Sequence, residues 1–158
     1  DPSRIGGRPI SYMLNSGFAG DIYPVNPKYK IIQGIKSYFS IDQIPTQIDF
    51  VVIAVKASLV SDQIKAAAKK GAKTALIFSS GFSETGENGE KLQKELSTIK
   101  KEMGIRIIGP NCLGIFNSFS NFFPYLFTAQ IRTSKFYKIF RCNRFRISLC
   151  TRNNHPKR

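Results

Sequence analysis

The chain has 158 residues, of which 42% are hydrophobic and 12 are glycine, and this is the size and composition of one folded domain with a core of its own. Its longest apolar run, residues 50–55, is too short to span a bilayer, and its polar, glycine-rich start is unlike a signal peptide. The net charge of +14 is uneven, because residues 1–128 hold 15 basic and 10 acidic residues (+5) whereas residues 129–158 hold 9 basic and no acidic ones (+9), which argues against a basic fold built around nucleic acid.

The cysteines do not indicate a disulfide framework, because there are three of them and two lie near the carboxyl terminus: Cys112, Cys142 and Cys150. Free thiols favour a reducing, cytoplasmic location. We predict no metal site, since the chain has no Cys-x-x-Cys pair and its single histidine is His155.

Strand and helix patterns alternate along the chain. Continuous apolar runs rich in β-branched residues predict buried parallel strands at residues 22–25, 50–55, 75–78 and 105–108. Helices are predicted at residues 9–15, at residues 61–70 with Ser61 as the N-cap, and at residues 90–103. Glycines mark the three helix ends: Gly17, Gly71 and Gly104. This alternation predicts the α/β class with a doubly wound parallel sheet, in which ligands bind at the carboxyl ends of the strands.

Two early loops at that edge carry candidate binding residues. Residues 1–7 include small residues, among them Gly6 and Gly7, ahead of a helix, so their amides could approach a phosphate that the helix dipole favours. A flexible, glycine-rich terminus is the alternative. Lys28 follows the first strand and could meet a phosphate or ribose as a point charge. A merely solvated lysine is the more common explanation of such a residue.

Two later loops also follow predicted strands. Residues 78–84 offer hydroxyls and free amides that could hold a nucleotide or its pantetheine arm, or could simply serve the turn. Residues 108–114 form a small-residue loop around Cys112. A nucleophilic role for this thiol would need a histidine in the globular part, and there is none, so we interpret Cys112 as a structural or pocket-lining residue.

The segments occur in a set order: GFAGDIYPVNPK, FVVIAV, IFSSGFSETGENG and IRIIGPNCLGIFN. In order and spacing they resemble the coenzyme A (CoA)-binding domain of the NDP-forming acyl-CoA synthetases, above all ADP-forming acetate–CoA ligase, with the alpha subunit of succinyl-CoA synthetase as a more distant relative. The resemblance covers about residues 1–124. It implies a Rossmann-like fold that binds CoA, with the phosphates on the first loop and the thiol toward the Gly-Pro-Asn-Cys loop.

The resemblance also implies the residues that contact CoA: Pro2, Gly6, Lys28, Phe78, Ser79, Ser80, Pro110, Asn111 and Cys112. Members of the family join an organic acid to CoA at the expense of ATP or GTP, through an acyl phosphate and a phosphohistidine. The domain that brings this histidine and the nucleotide-grasp domain have no counterpart here. We therefore assign no catalytic residue, and we expect a CoA-binding portion that is inactive without its ligase and nucleotide-grasp domains or subunit.

One strand of the resemblance is absent. The family begins with a strand just before the match to Asp1, and in the Rossmann order this strand is central. The predicted sheet therefore lacks its first, central strand. Four buried side chains at about 2 kcal/mol each would be worth about 8 kcal/mol, which is comparable with the whole stability of a domain.

Residues 129–158 form a basic tail that does not continue the strand–helix alternation. A reading-frame change, a basic arm for nucleic acid or anionic lipid, and a structured extension are the three interpretations, in that order. Two further functions stay open beside the ligase portion: a stand-alone module that binds CoA or a nucleotide, and a nucleic-acid binder that depends on the tail. NAD is disfavoured, because Asn26 and Lys28 stand where an acidic residue would hold its ribose.

Overall fold

The fold is taken from a computed structural model that describes residues 1–117, 119–126 and 146–151. Three α-helices are present: α1 (Arg8–Ser16), α2 (Ala57–Lys69) and α3 (Glu87–Met103). The strands are β1 (Asp21–Val25), β2 (Ile31–Ile32), β3 (Ile35–Lys36), β4 (Phe50–Ala54), β5 (Thr74–Ile77), β6 (Arg106–Ile108) and β7 (Arg146–Thr151). Two short 3-10 helices cover Ile41–Gln43 and Ser83–Thr85.

Five strands form one parallel sheet in the order β1-β7-β4-β5-β6. The alternation of strands and helices predicted from the sequence is confirmed, and so is the Rossmann-like α/β class. Strands β2 and β3 form a separate antiparallel hairpin, which the sequence analysis did not predict because each strand has only two residues.

Strand β7 occupies an interior position, second in the order of the sheet, and pairs with β1 on one side and with the central strand β4 on the other. No strand of the described chain precedes α1, and the strand between β1 and β4 comes from residues 146–151. Residues 146–151 of the predicted tail form β7, and the choice among the three interpretations of residues 129–158 stays a prediction. The boundary at residue 128 also stays a prediction. Cys142 and His155 lie outside the described residues.

The core has two layers, one on each face of the sheet. Helices α2 and α3 cover one face, where Val60, Ile64 and Leu96 pack against alternate residues of β4 and β5. Helix α1 and residues from 115–117 and 119–126 cover the other face, where Met13 and Phe122 pack against the remaining strand residues. A strand between two such layers has no solvent face, so its sequence reads as a continuous apolar run.

Helix α2 begins four residues before the predicted start. Its N-cap is Lys56, and Ser61, the predicted N-cap, is a buried residue of the second turn. The prediction was wrong because the chain turns into the helix almost directly after β4, which allows Val60 to enter the core. The carboxyl ends of α1 and α3 agree with expectation, since Gly17 and Gly104 both adopt the left-handed C-cap conformation. Helix α3 begins at Glu87, three residues before its predicted start. None of the helices described is long and apolar enough to cross a membrane.

Candidate functional site

A cavity of about 820 Å³ opens at the carboxyl edge of the sheet, a size typical of small-molecule sites. Its walls come from three segments and one helix residue: residues 3–6, residues 54–58, residues 78–80 and Leu92. The second and third segments follow β4 and β5 directly. The cavity therefore lies where a doubly wound sheet binds its ligands.

The first loop is held in place by its own polar groups. The Asp1 carboxylate accepts hydrogen bonds from the amide (2.9 Å) and the hydroxyl (2.7 Å) of Ser3 and lies 3.6 Å from the Arg4 guanidinium. The Arg8 guanidinium donates to the Ser3 carbonyl at 2.9 Å. A Cβ at Gly7 would overlap the Asp1 carbonyl, so the loop can fold back on the start of α1 only with glycine there.

The loop after β5 is anchored to both neighbouring loops. The Ser79 hydroxyl donates to the Val55 carbonyl at 2.5 Å, and the Ser79 carbonyl accepts from the Asn111 amide at 2.9 Å. Farther along, the Gly81 amide donates to the Glu84 carboxylate at 2.7 Å, and this hydrogen bond lowers the pKa of Glu84. Ser79 is therefore fixed as a link between the loops that follow β4, β5 and β6.

The loop after β6 lies against the end of β5. The Cys112 amide donates to the Ile77 carbonyl at 3.2 Å. Gly109 has a φ of 101°, and a Cβ there would lie 2.6 Å from the Ile77 carbonyl oxygen, so both conformation and space require glycine. The Cys112 sulfur accepts from the Gly114 amide at 3.4 Å. This turn explains the small residues of the Gly-Pro-Asn-Cys element without any chemistry at the thiol.

The predicted contact residues separate into two groups. Those that line the cavity are Gly6, Phe78, Ser79 and Ser80. Those that are not among its lining residues are Pro2, Lys28, Pro110, Asn111 and Cys112.

Residues of the second group lie next to the lining segments, except for Lys28. Pro2 precedes the lining residue Ser3, and the Asn111 amide donates a hydrogen bond to the carbonyl of the lining residue Ser79. Lys28 lies apart, with its ammonium 5.6 Å from the centroid of the Tyr29 ring and its amide donating to Asn26 Oδ1. The assignment of each of these residues to CoA stays a prediction.

The segment after β4 was not predicted as part of the site. No residue was chosen from it, although Lys56, Ala57 and Ser58 all line the cavity. The signal was available, because these residues directly follow the most apolar strand of the chain. Because α2 was predicted to begin at Ser61, these three residues were assigned to a connecting loop and not to the start of a helix.

The cavity favours an anion with apolar parts. Arg4 and Lys56 line it, and none of the lining residues in the described chain is acidic. Apolar wall is supplied by Val55, Phe78 and Leu92. The described residues contain no group of three or more His, Cys, Asp or Glu side chains placed to hold a metal ion.

Comparison with known proteins is in keeping with a cavity that favours an anion with apolar parts. Residues 1–118 match the model of a family described as a CoA binding domain. The chain belongs to this family. It is 39% identical over 121 residues to the alpha subunit of acetate–CoA ligase (ADP-forming) II of Pyrococcus furiosus, covering 77% of this chain and 26% of that protein. It is 43% identical over 124 residues to acetate–CoA ligase (ADP-forming) II of Archaeoglobus fulgidus, covering 76% of this chain and 18% of that protein.

Solved structures give the same fold. The dinucleotide-forming acetyl-coenzyme A synthetase 1 of Ca. Korarchaeum cryptofilum, in complex with phosphate and ADP, matches with a TM-score of 0.74 and 33% identity over 80% of this chain and 27% of that one. The family and the fold predicted from the sequence are confirmed. This CoA-binding-domain chain spans about a quarter or less of the length of the relatives named here.

Proposed function

We propose that the chain binds coenzyme A in the cavity at the carboxyl edge, as the CoA-binding portion of an NDP-forming acid–CoA ligase. The observation that carries the proposal is the cavity itself, in which loops of small residues, two cations and apolar wall meet without an acidic lining residue. CoA has the matching chemistry, with charged phosphates at one part and an uncharged pantetheine arm with methyl and methylene groups at another. Family membership over residues 1–118 supports the same ligand.

A direct test is equilibrium binding of CoA to the full chain by calorimetry, with NAD as the comparison ligand. We expect CoA to bind and to raise Tm, since a ligand that binds only the folded state stabilises it, and NAD to bind much more weakly. Equal affinity for both would contradict CoA selectivity. Absence of any CoA binding by the folded chain at millimolar concentration would overturn the proposal.

The variant Gly6→Asp locates the site. A carboxylate added to the wall would repel the phosphates, and like charges brought together cost several kcal/mol, so we expect at least about a tenfold loss of CoA affinity. Ala19→Asp is the matched control, because Ala19 is exposed and precedes β1 at the opposite edge of the sheet. If both variants bound CoA like the wild type, the ligand would lie elsewhere.

We propose further that acyl-CoA formation needs other domains or a subunit, which would bring ATP or GTP and the phosphohistidine. The short span of the chain relative to its relatives supports this. The chain mixed with CoA, acetate and ATP should form no acetyl-CoA in a thioester assay. Turnover by the chain alone would contradict this part of the proposal and leave CoA binding intact.

A stand-alone CoA-binding module is the second candidate, and one observation favours it. Strand β7 completes the sheet from within the chain, so CoA binding would need no strand from elsewhere. Deleting residues 146–158 discriminates the candidates, with folding followed by circular dichroism. A module that depends on β7 would lose both its fold and its CoA binding, whereas a ligase portion completed by another strand would regain both when that strand is supplied.

A further inference from the structure

We infer that Lys56 is a coenzyme-binding residue whose ammonium group pairs with the diphosphate of CoA. This inference rests on the proposed function and names a contact that the sequence analysis did not assign. Lys56 lines the cavity together with Arg4, which comes from a segment about 50 residues earlier in the chain. Two cations from two segments suit a diphosphate, which carries its charge between the adenosine and the pantetheine arm.

The backbone of Lys56 is fixed while its side chain is left available. It is the N-cap of α2, with φ −61° and ψ 146°, and its side chain makes no capping hydrogen bond. Its carbonyl accepts the Leu59 amide at 2.9 Å. The residue is exposed, and the ion pairs found in the described chain join Arg4 to Asp1, Lys65 to Glu95 and Arg146 to Asp49. The ammonium group of Lys56 therefore has no carboxylate partner among the described residues.

The charge balance of the cavity depends on this lysine. The Arg4 guanidinium lies 3.6 Å from the Asp1 carboxylate, so much of its charge is offset locally. Lys56 supplies the positive charge that is not offset by a neighbouring acid. Helices α1 and α2 have no acidic residue in their first turns, whereas α3 has Glu87 and Glu90. The start of α2 therefore adds to the positive potential at Lys56 instead of cancelling it.

The position of Lys56 is unfavourable for the helix that it starts. A cation at a helix N-terminus meets the positive end of the helix dipole, and an N-cap normally accepts hydrogen bonds, which an ammonium group cannot do. A lysine that is merely solvated at the surface would gain no stabilising interaction at this position. A bound phosphate would pair with the lysine and with the first-turn amides together, which is the physical reason for placing a cation there.

Stability and binding should therefore respond in opposite directions to Lys56→Gln. Without ligand, we expect Tm to rise by about 1–3 °C, because a cation leaves the helix N-terminus. CoA affinity should fall by about tenfold, the usual scale for loss of a charge-assisted hydrogen bond. Lys69→Gln is the matched control at the other end of α2, where removal of a cation should lower Tm slightly and leave CoA affinity unchanged. Lys56→Arg should retain affinity within about threefold, since it keeps the charge.

Calorimetry on the full chain with CoA, dephospho-CoA and pantetheine identifies the group that is contacted. The inference expects the tenfold loss in Lys56→Gln for CoA and for dephospho-CoA alike, and no loss for pantetheine. A loss confined to CoA would assign Lys56 to the 3′-phosphate and overturn the diphosphate contact. Wild-type affinity of Lys56→Gln for CoA would overturn the inference and leave the proposed function standing, whereas a wild-type chain that binds no CoA would overturn both.

Discussion

Strands β4 and β7 are neighbours in the middle of the sheet, and they fill equivalent positions with different kinds of sequence. Strand β4 reads FVVIA, with its first four residues buried. Strand β7 reads RISLCT, and residues 147–150 are buried although one of them is a serine. The two strands pair directly, with Val51 opposite Ser148 and Val52 opposite Leu149. Two neighbouring strands are therefore both buried on both faces, although β4 is entirely apolar and β7 carries a buried polar residue.

The difference is greatest at Ser148. Its hydroxyl is fully buried and makes no hydrogen bond of ordinary geometry to a described residue, and such a group costs about 1–3 kcal/mol relative to a satisfied one. Strand β7 compensates with Ile147 and Leu149 on the α1 face and with Cys150 on the α2 face. An interior strand can thus tolerate one unsatisfied group when its other side chains fill both cores.

The largest effect is expected from Leu149→Asp, which tests whether β7 stabilises the sheet. Leu149 is 1% exposed, and an unpaired buried charge costs at least several kcal/mol, against a typical domain stability of about 5–15 kcal/mol. We expect loss of cooperative unfolding in urea, followed by circular dichroism. Phe119→Asp, at a side chain that is 82% exposed, should leave the midpoint unchanged. A wild-type midpoint for Leu149→Asp would show that β7 does not stabilise the sheet.

The second-largest expected effect is a loss of stability at alkaline pH, caused by Cys150 of β7. Burial raises the pKa of the Cys150 thiol from 9.0 to about 12, a rise that the Ser148 hydroxyl partly offsets. The unfolded thiol ionises first, so the unfolded chain binds fewer protons above pH 9 and stability falls as pH rises from there. Between pH 9 and a pH of about 10.5, we expect the free energy of unfolding of the wild type to fall by about 2 kcal/mol through this thiol. Cys150→Ala lacks the thiol and should not show this part of the fall. Urea midpoints against pH for both chains measure this, and parallel curves would contradict it.

Exchanging the polar residue between the two strands gives a smaller effect. Ser148→Ala should raise the free energy of unfolding by about 1 kcal/mol, because it removes a buried hydroxyl without a partner. Val51→Ser, directly opposite, should lower it by about 1–3 kcal/mol by burying such a hydroxyl in β4. Urea unfolding measures both variants. If Ser148→Ala were destabilising, the interaction of the hydroxyl with the Cys150 thiol would outweigh the cost of burying it.

The smallest expected effect is at the entrance to β7. The Arg146 guanidinium lies 3.6 Å from the Asp49 carboxylate, with side chains 34% and 39% exposed, and a half-exposed pair of this kind contributes less than about 1 kcal/mol. Arg146→Gln should therefore lower stability by about 0.5 kcal/mol at low salt, and the difference should shrink in 1 M NaCl. A loss of several kcal/mol that is independent of salt would indicate a buried role for Arg146.

Part of the cavity wall could be predicted, since Gly6 and residues 78–80 were chosen from the sequence and line the cavity, whereas their contact with CoA stays a prediction. Lys56 was not chosen, because helix signals placed the start of α2 at Ser61, and an exposed lysine carries no signal of its own. Its neighbours in space are the first loop and the loop after β5, which local patterns do not connect. The hairpin of β2 and β3 was missed for a similar reason, since two-residue strands show no periodicity.

The sequence by itself determined β4, β5 and the end of α3 at Gly104, because double-sided burial requires continuous apolar runs and a helix C-cap favours glycine. It also determined the family, through four loops in a fixed order. The tertiary structure alone decided that residues 146–151 take the interior position between β1 and β4, since β7 pairs with β4 across almost 100 residues and its serine and flanking arginine are not typical of a buried strand. It alone decided that Lys56 faces the cavity. Both outcomes depend on contacts between segments that are distant in the chain, whereas a sequence pattern records only what each segment needs locally.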